Sequence, residues 1–212
     1  MFLRKIDELT RPDHVLLDTS SDCYYFADYP GGNRPENLQN PIYSLIHNLK
    51  KKPNRRNTAS WRYKIEAIQR CSAMIIRYFE RAGNIDKYSF VPIPPSKNKS
   101  NPLYDPRLVH VLEGVKERLP ECDIRDLLSL TSDMVASHRT RIRPTIDELY
   151  QNYRLDRSQL FGIRENIILF DDMITLGAHF QAAKRKILDS KEDAKVMGIF
   201  ISRCVQPEWV RG

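Results

Sequence analysis

The stretch IILFDDMITLGAHF, residues 167–180, decides the fold expected for this chain. Its first four residues are apolar and rich in strand formers, a run too short for a buried helix but typical of a strand covered on both faces of a parallel sheet. Asp171 and Asp172 are expected to end this strand, and a loop through Thr175 and Gly177 follows. The next apolar residues recur at helical spacing: Phe180, Ala183, Ile187 and Leu188. The stretch therefore predicts a strand, an acidic pair, a short loop and a helix start.

Such an arrangement suits the binding of an anion. The first backbone N–H groups of a helix lack partners within the helix, and the helix dipole adds partial positive charge there. In open α/β sheets, ligands bind at the carboxyl ends of the strands. The alternative interpretation is that the acidic pair only caps the helix.

The same stretch resembles the ribose-phosphate signature of type I phosphoribosyltransferases. In that family, four apolar, two acidic and two apolar residues precede a Thr-Thr-Gly-x-Thr-like loop. Asp171 and Asp172 match the acidic pair, and the Met-Ile that follows matches the apolar pair. Thr175 and Gly177 match the loop. The resemblance covers the whole stretch in order, not the glycine alone.

The resemblance implies a role for each of these residues when pyrophosphate leaves phosphoribosyl pyrophosphate (PRPP). Asp171 and Asp172 would be the catalytic pair, binding the ribose hydroxyls near the positive charge that develops on the sugar. The loop would hold the 5′-phosphate through its backbone N–H groups. Its residues are Thr175, Leu176, Gly177, Ala178 and His179. Leu176 and His179 depart from the family pattern, in which small or hydroxyl-bearing residues are usual.

A second loop extends the resemblance. Residues 88–93 (YSFVPI) predict the first strand of the core sheet, and a polar loop and a helix from about Asp105 follow. Type I phosphoribosyltransferases bind pyrophosphate in the loop after this strand, and VPIPPSK is similar to a stretch of the ComF-like branch. The pyrophosphate loop is therefore assigned to Pro95, Ser96 and Lys97, with Lys97 supplying a positive charge. A proline-rich surface loop without a ligand is the alternative.

Residues 123–130 predict a second strand, and an arginine-rich interval follows. In the resembled family this interval holds a mobile loop that closes over the substrate, a role that would fall to Arg139, Arg141 and Arg143. An ordinary basic surface loop before a helix at residues 145–153 is the alternative. The last strand is expected at residues 196–202.

The first 60 residues resemble no known module, and the cysteine-rich zinc module usual at the start of ComF-like proteins is missing. Residues 14–18 and 23–29 predict a hairpin. Helices are expected at residues 41–49 and 58–81, with Gly83 ending the second. We expect residues 1–60 to form an N-terminal hood and residues 61–212 a phosphoribosyltransferase-like core, within a single domain overall.

The composition of the chain limits its domain number, its cellular location and the kinds of site it can form. The chain has 212 residues, of which 41% are hydrophobic, enough for one domain with a full core. It contains no apolar run of the roughly 20 residues that span a bilayer, and its first ten residues carry charges where a signal peptide is apolar. We therefore expect a cytoplasmic protein. The four cysteines are far apart and form no C-x-x-C pair, so no metal site is predicted.

The net charge of +7 suits a polyanionic partner, although solubility alone explains such a charge equally well. The densest basic run is LKKKPNRR, residues 49–56, which would contact nucleic-acid phosphates or serve only as a solvated loop.

Together these patterns predict an α/β fold of the type I phosphoribosyltransferase kind, with a mostly parallel central sheet of four or five strands, helices on both faces and a small N-terminal hood. The resemblance implies that the protein binds PRPP or a related nucleotide with Mg²⁺ and, if it is an enzyme, transfers a ribosyl phosphate group. The alternative is a non-salvage binding or effector protein on the same fold that acts with a nucleic-acid complex. Examples are ComF-like DNA handling and an accessory subunit of an antiviral retron. The oligomeric state is left open.

Overall fold

The computed structural model describes residues 2–32, 35–134 and 143–206, without the side chains of residues 35 and 36. The strands are β1 (Arg4–Lys5), β2 (Cys23–Pro30), β3 (Tyr88–Pro92), β4 (Asp123–Ile124), β5 (Leu128–Leu130), β6 (Tyr153–Leu155), β7 (Asn166–Ile174) and β8 (Lys195–Val205). The α-helices are α1 (Pro41–Leu49), α2 (Arg62–Ala82), α3 (Arg107–Arg118), α4 (Ile146–Asn152) and α5 (Ala178–Leu188). Short 3₁₀ helices lie at Arg11–Asp13, Pro35–Gln39, Pro53–Arg55, Ala59–Trp61, Ile85–Lys87 and Arg157–Leu160.

Six strands form one sheet in the order β1-β2-β8-β7-β3-β4. The pairs β2–β8, β8–β7, β7–β3 and β3–β4 are parallel, and only the short β1 is antiparallel to its neighbour. The strands β5 and β6 form a separate antiparallel pair. The predicted α/β class with a mostly parallel sheet is confirmed, with six strands where four or five were expected.

The strand β7 lies in the interior of the sheet and is covered on both faces. Ile168 and Phe170 belong to the hydrophobic cluster formed with α1, α2 and α3, whereas Ile167 and Leu169 belong to the cluster formed with α4 and α5. All four side chains are fully buried. Successive side chains of a strand point to opposite faces, so an uninterrupted apolar run is what a doubly covered strand requires.

The two strands that precede the predicted ligand loops are neighbours, and the chain leaves them in opposite directions. After β3 it crosses through α3 to β4, on one side of the pair. After β7 it crosses through α5 to β8, on the other side and over the opposite face. The carboxyl ends of β3 and β7 therefore form a topological switch point, the place where open α/β sheets bind ligands.

Local signals explain several helix ends. Asn40 caps α1, its Oδ1 accepting hydrogen bonds from the N–H groups of Ile42 (2.8 Å) and Tyr43 (3.2 Å). Gly83 ends α2 in the left-handed conformation, with φ +61°. The bounds predicted for α1 are confirmed. The start predicted for the second helix is wrong by four residues, because a 3₁₀ turn at Ala59–Trp61 precedes α2.

Two strand predictions are wrong. Residues 123–130 do not form one strand, because the Arg125 side chain turns inward to pair with Asp123 (2.8 Å) and donates to the carbonyl oxygen of Phe161 (2.9 Å). The chain therefore leaves the sheet after β4 and forms β5 beside β6. The hairpin of residues 14–18 and 23–29 is also absent, because β2 pairs in parallel with β8 and residues 14–18 form no strand.

Residues 1–60 contribute β1 and β2 to the sheet and α1 to one covering layer. The boundary at residue 60 stays a prediction. Among the described residues, no helix combines the length and the apolar character that crossing a membrane requires.

Candidate functional site

Asp171 and Asp172 lie within β7, near its carboxyl end, and do not end the strand as expected. The strand continues to Ile174 because β8 extends beside it, pairing Asp171 with Phe200 and Ile174 with Arg203. Strand alternation sends the two carboxylates to opposite faces of the sheet. Asp172 faces the layer of α1 and α3, and Asp171 faces the layer that contains β6 and α5.

The carboxylate of Asp172 is 2% exposed and pairs with two cations. Its Oδ1 lies 2.8 Å from Nζ of Lys50, the residue that follows α1. Its Oδ2 lies 2.7 Å from Nε and 2.6 Å from Nη2 of Arg107, the first residue of α3. Burial alone would raise the pKa of Asp172, but these two positive charges hold it below its usual range. Asp172 therefore stays ionised and fixes both cations at the edge of the sheet.

A buried lysine extends this ion-pair network. Lys64, on α2, is 2% exposed, and its Nζ donates to the carbonyl oxygens of Leu49 (2.7 Å) and Lys51 (2.8 Å) and to Asp105 (2.8 Å). All three ammonium hydrogens have acceptors, as a buried lysine requires. Asp105 also lies 3.4 Å from Arg107. The network thus joins the end of α1, α2, the start of α3 and β7.

Asp171 has a different environment. The residue is intermediate in exposure, and its Oδ1 accepts a hydrogen bond from the N–H group of Asp172 (2.7 Å). Burial and the negative charge of Asp172 raise the pKa of Asp171. Of the acidic pair, Asp171 is therefore the residue whose carboxylate has no cationic partner among the described residues.

The loop after β7 is held from its outer side by residues 14–17. The N–H group of Leu16 donates to the carbonyl oxygen of Leu176 (3.0 Å), and the buried ring of His14 bonds the carbonyl oxygen of Thr175. These contacts occupy carbonyl groups. No described residue accepts a hydrogen bond from the first three backbone N–H groups of α5, residues 178–180.

Gly177 connects this loop to α5 in the left-handed conformation, with φ +102°. A Cβ atom at this position would lie 2.8 Å from Cδ2 and 3.3 Å from the backbone nitrogen of Leu17. Both the backbone conformation and the close approach therefore require glycine here.

The predicted pyrophosphate loop is attached to the residues that follow β5. The carbonyl oxygen of Ser96 accepts from the N–H group of Met134 (2.8 Å), and Lys97 lies 3.2 Å from Asp133. Asp133 also accepts from the N–H group of Asn98 (2.8 Å). Ser96 and Lys97 keep partly exposed side chains, in the loop that follows the carboxyl end of β3.

Of the arginines assigned to a mobile loop, Arg139 and Arg141 lie outside the described residues. Arg143 is exposed. Burial raises the pKa of the Cys204 thiol in β8, and the positive charge of Arg143 acts against this rise. Arg143 therefore lies close enough to Cys204 to act on it electrostatically.

Four residues of the network were not predicted as site residues: Lys50, Lys64, Asp105 and Arg107. Lys64 occupies a buried position on α2, although a lysine is rarely buried without a partner. Asp105 and Arg107 start the helix after the predicted pyrophosphate loop. Asp105 and Arg107 could have been recognised as candidate site residues from the sequence, because the start of this helix lies at the carboxyl edge of the sheet. Lys50 was counted only as part of the basic run.

Within the part of the chain that the structure describes, no cluster of three or more His, Cys, Asp or Glu side chains is placed to hold a metal ion. The chain matches no protein-family model. No curated protein sequence matches it either.

Gly177→Ala should destabilise the fold more than Gly83→Ala. Both glycines have positive φ, but an added Cβ meets Leu17 at position 177 and nothing within 4 Å at position 83. We expect Gly83→Ala to cost about 1 kcal/mol from strain alone and Gly177→Ala about 2–4 kcal/mol from strain and overpacking. Denaturant unfolding measures both, and equal losses would show that residues 14–17 do not pack on this loop.

Asp172→Asn and Asp171→Asn should have opposite effects on the free energy of unfolding. Asp172→Asn leaves Lys50 and Arg107 without their buried anion and should cost about 3 kcal/mol at pH 7. Because the pKa of Asp171 is raised in the folded state, ionised Asp171 lowers the free energy of unfolding at pH 7. Asp171→Asn removes this charge and should therefore leave the free energy of unfolding unchanged or increase it.

The pH dependence supplies the control for this pair. Any gain from Asp171→Asn should disappear as the pH falls below its ordinary pKa of 3.8, because wild-type Asp171 is then protonated in both states. The stability supplied by Asp172, whose folded pKa is lowered, should be present above 3.8 and disappear as the pH falls through the folded value. A destabilising Asp171→Asn beside a neutral Asp172→Asn would reverse the assigned roles.

Proposed function

We propose that the chain binds PRPP, or a related phosphorylated ribose compound, at the carboxyl ends of β3 and β7, on a fold of the type I phosphoribosyltransferase kind. The observation that carries the proposal is the topological switch point between these strands. Two loops start there. One carries partly exposed polar groups, and the other leads into the N–H groups of α5 that have no acceptor in the part of the chain that the structure describes.

The strand order supports the finer fold proposal. From β4 the sheet reads β4-β3-β7-β8-β2 in parallel, which is the 2-1-3-4-5 order of doubly wound sheets with the fifth strand supplied by the N-terminal part of the chain. The proposed hood, residues 1–60, includes Lys50, which brings a positive charge to the same edge.

The two aspartates have separate roles in this proposal. The carboxylate of Asp171, a residue of intermediate exposure, accepts hydrogen bonds from ribose hydroxyls. Asp172 orients Lys50 and Arg107, so that positive potential faces an incoming phosphate. The first turn of α5 binds the 5′-phosphate, and Lys97 contacts the pyrophosphate group. If ribosyl transfer follows, these cations would stabilise the charge on the departing pyrophosphate.

Magnesium fits this site only together with the ligand. Both oxygens of Asp172 are engaged by cations, which leaves Asp171 as the member of the acidic pair whose carboxylate forms no salt bridge with a described residue. Mg²⁺ commonly uses one or two carboxylates together with substrate phosphates and water. We therefore propose that Mg²⁺ enters bound to the diphosphate, with Asp171 as the side chain able to contact it.

Calorimetric titration with PRPP and MgCl₂ tests the proposal, with Lys97→Ala and Lys99→Ala as matched variants. Both lysines lie in the loop after β3, are partly or largely exposed and pair with one surface aspartate each. Surface pairs of this kind contribute about 0–1 kcal/mol to stability, so both variants should fold. Lys97→Ala should weaken PRPP binding by roughly tenfold or more, whereas Lys99→Ala should leave it nearly unchanged. Absence of binding by the wild-type chain would overturn the proposal.

A specific surface favours a second candidate function, the binding of single-stranded nucleic acid. We define the basic segment as residues 51–63. Four of its cations are exposed and form no salt bridge with a described residue: Lys52, Arg55, Arg56 and Arg62. Two aromatic rings lie among them, with Trp61 5.8 Å from the Arg56 guanidinium and Tyr63 4.7 Å from that of Arg62. Unpaired cations beside partly exposed rings are typical of surfaces that hold phosphates and stack bases.

Fluorescence anisotropy with a labelled single-stranded oligonucleotide tests this candidate. Replacing Lys52, Arg55 and Arg56 by Gln should weaken binding and reduce the slope of log affinity against log salt by about 2. The matched control replaces three exposed cations from the other end of the sheet, Arg81, Lys87 and Lys116, and should change the slope little. Equal effects of the two triple variants would show that binding follows net charge alone.

A further inference from the structure

His179, the second residue of α5, is held by a buried tyrosine. Its Nδ1 lies 2.8 Å from Oη of Tyr153, the first residue of β6, and the ring of Tyr153 is 1% exposed. The ring centroids are 6.5 Å apart. The pair therefore links the start of α5 to the small β5–β6 sheet.

The direction of this hydrogen bond follows from the partners that are present. Burial raises the pKa of Tyr153 well above its ordinary value, so its hydroxyl keeps its proton. Among the described residues, His179 is the only hydrogen-bond partner of that hydroxyl. If the imidazole were the donor, the buried O–H group would have no acceptor among the described residues, which is unfavourable for a buried polar group. Tyr153 therefore donates, and Nδ1 of His179 accepts.

The opposite ring nitrogen then carries the proton. Burial and the positive charge of Lys50 lower the pKa of His179 to about 4, so the imidazole is neutral at pH 7 with its hydrogen on Nε2. Nε2 of His179 forms no hydrogen bond with a described residue. It also does not belong to the fully buried side-chain atoms that have no partner. The Nε2–H group therefore has no acceptor among the described residues and is available to a ligand.

We infer that the Nε2–H group of His179 donates a hydrogen bond to the phosphate of the bound ligand, and that Tyr153 is the positioning residue that fixes the required tautomer. This inference rests on the proposed function, since it assigns a donor within the same site. His179 lies in the first turn of α5, whose backbone N–H groups have no acceptor among the described residues, and the charge of Lys50 acts on it. The groups named here all donate, so the matching ligand group is a phosphate monoester, which presents acceptor oxygens.

Nuclear magnetic resonance tests the tautomer without any ligand. Two-bond ¹H–¹⁵N correlation spectra of the full-length chain at pH 7 distinguish a protonated Nε2 from a protonated Nδ1, and loss of one signal set in His179→Gln assigns the resonance. We expect the Nε2–H form in the wild type and a mixture of tautomers in Tyr153→Phe, which keeps the ring but removes the hydroxyl. A wild-type signal from the Nδ1–H form would overturn the inference whatever the ligand result.

Binding of ribose 5-phosphate, followed by calorimetry, tests the donor. His179→Leu removes the N–H group and should weaken binding by roughly tenfold or more. His179→Gln places an amide N–H near the position of Nε2 and should stay within about threefold of the wild type, while Tyr153→Phe should fall between them. Melting temperatures of all variants separate loss of binding from loss of folding.

The outcomes separate this inference from the proposed function. If the wild type binds ribose 5-phosphate and a folded His179→Leu binds it equally well, the proposed site stands and the role of His179 is wrong. Equal losses in His179→Leu and His179→Gln would also overturn the donor role, because only the shape of histidine would then matter. If the wild type does not bind at all, both the proposed function and this inference are wrong.

Discussion

The buried carboxylate of Asp172 is the group on which the edge of this sheet depends. An ionised carboxylate is stable at 2% exposure only if nearby charges and hydrogen bonds replace the water it has lost. Lys50 and Arg107 supply that compensation from the end of α1 and the start of α3. Lys64 and Asp105 then hold the two helices in place behind them. One anion thereby gathers cations from distant parts of the chain at the carboxyl ends of β3 and β7.

Strand alternation gives the two residues of the acidic pair different environments. Because neighbouring residues of a strand face opposite sides, a single environment cannot serve both Asp171 and Asp172. Asp172 is committed to the ion-pair network, while Asp171 is intermediate in exposure and has a raised pKa. Groups with perturbed pKa values in an open edge of a sheet often mark functional sites. In the proposed function, structure and ligand binding would thus draw on adjacent residues of one strand without competing for the same oxygen atoms.

Local sequence patterns predicted the elements that depend on residues close to one another in the chain. The four apolar residues before Asp171 indicated a doubly covered strand, and the residues around Pro41 and Gly83 indicated where helices begin and end; these predictions are confirmed. Contacts between distant residues left no comparable trace. Lys64 meets Asp105 across 41 positions, and His14 meets Thr175 across 161. Position 64 lies on the buried face of α2, but a hydrophobic pattern does not predict a lysine there. Its burial is stable because three acceptors from other elements bind its ammonium group.

The most direct test of the site is a map of backbone amide chemical shifts during titration with ribose 5-phosphate. The free N–H groups at the start of α5 lie at the switch point and have no other acceptor among the described residues. Our account predicts that residues 176–180 shift most, with smaller changes at residues 95–98 and few elsewhere. Shifts confined to the basic segment, or no shifts at saturating ligand, would contradict the claim that this edge of the sheet is the ligand site.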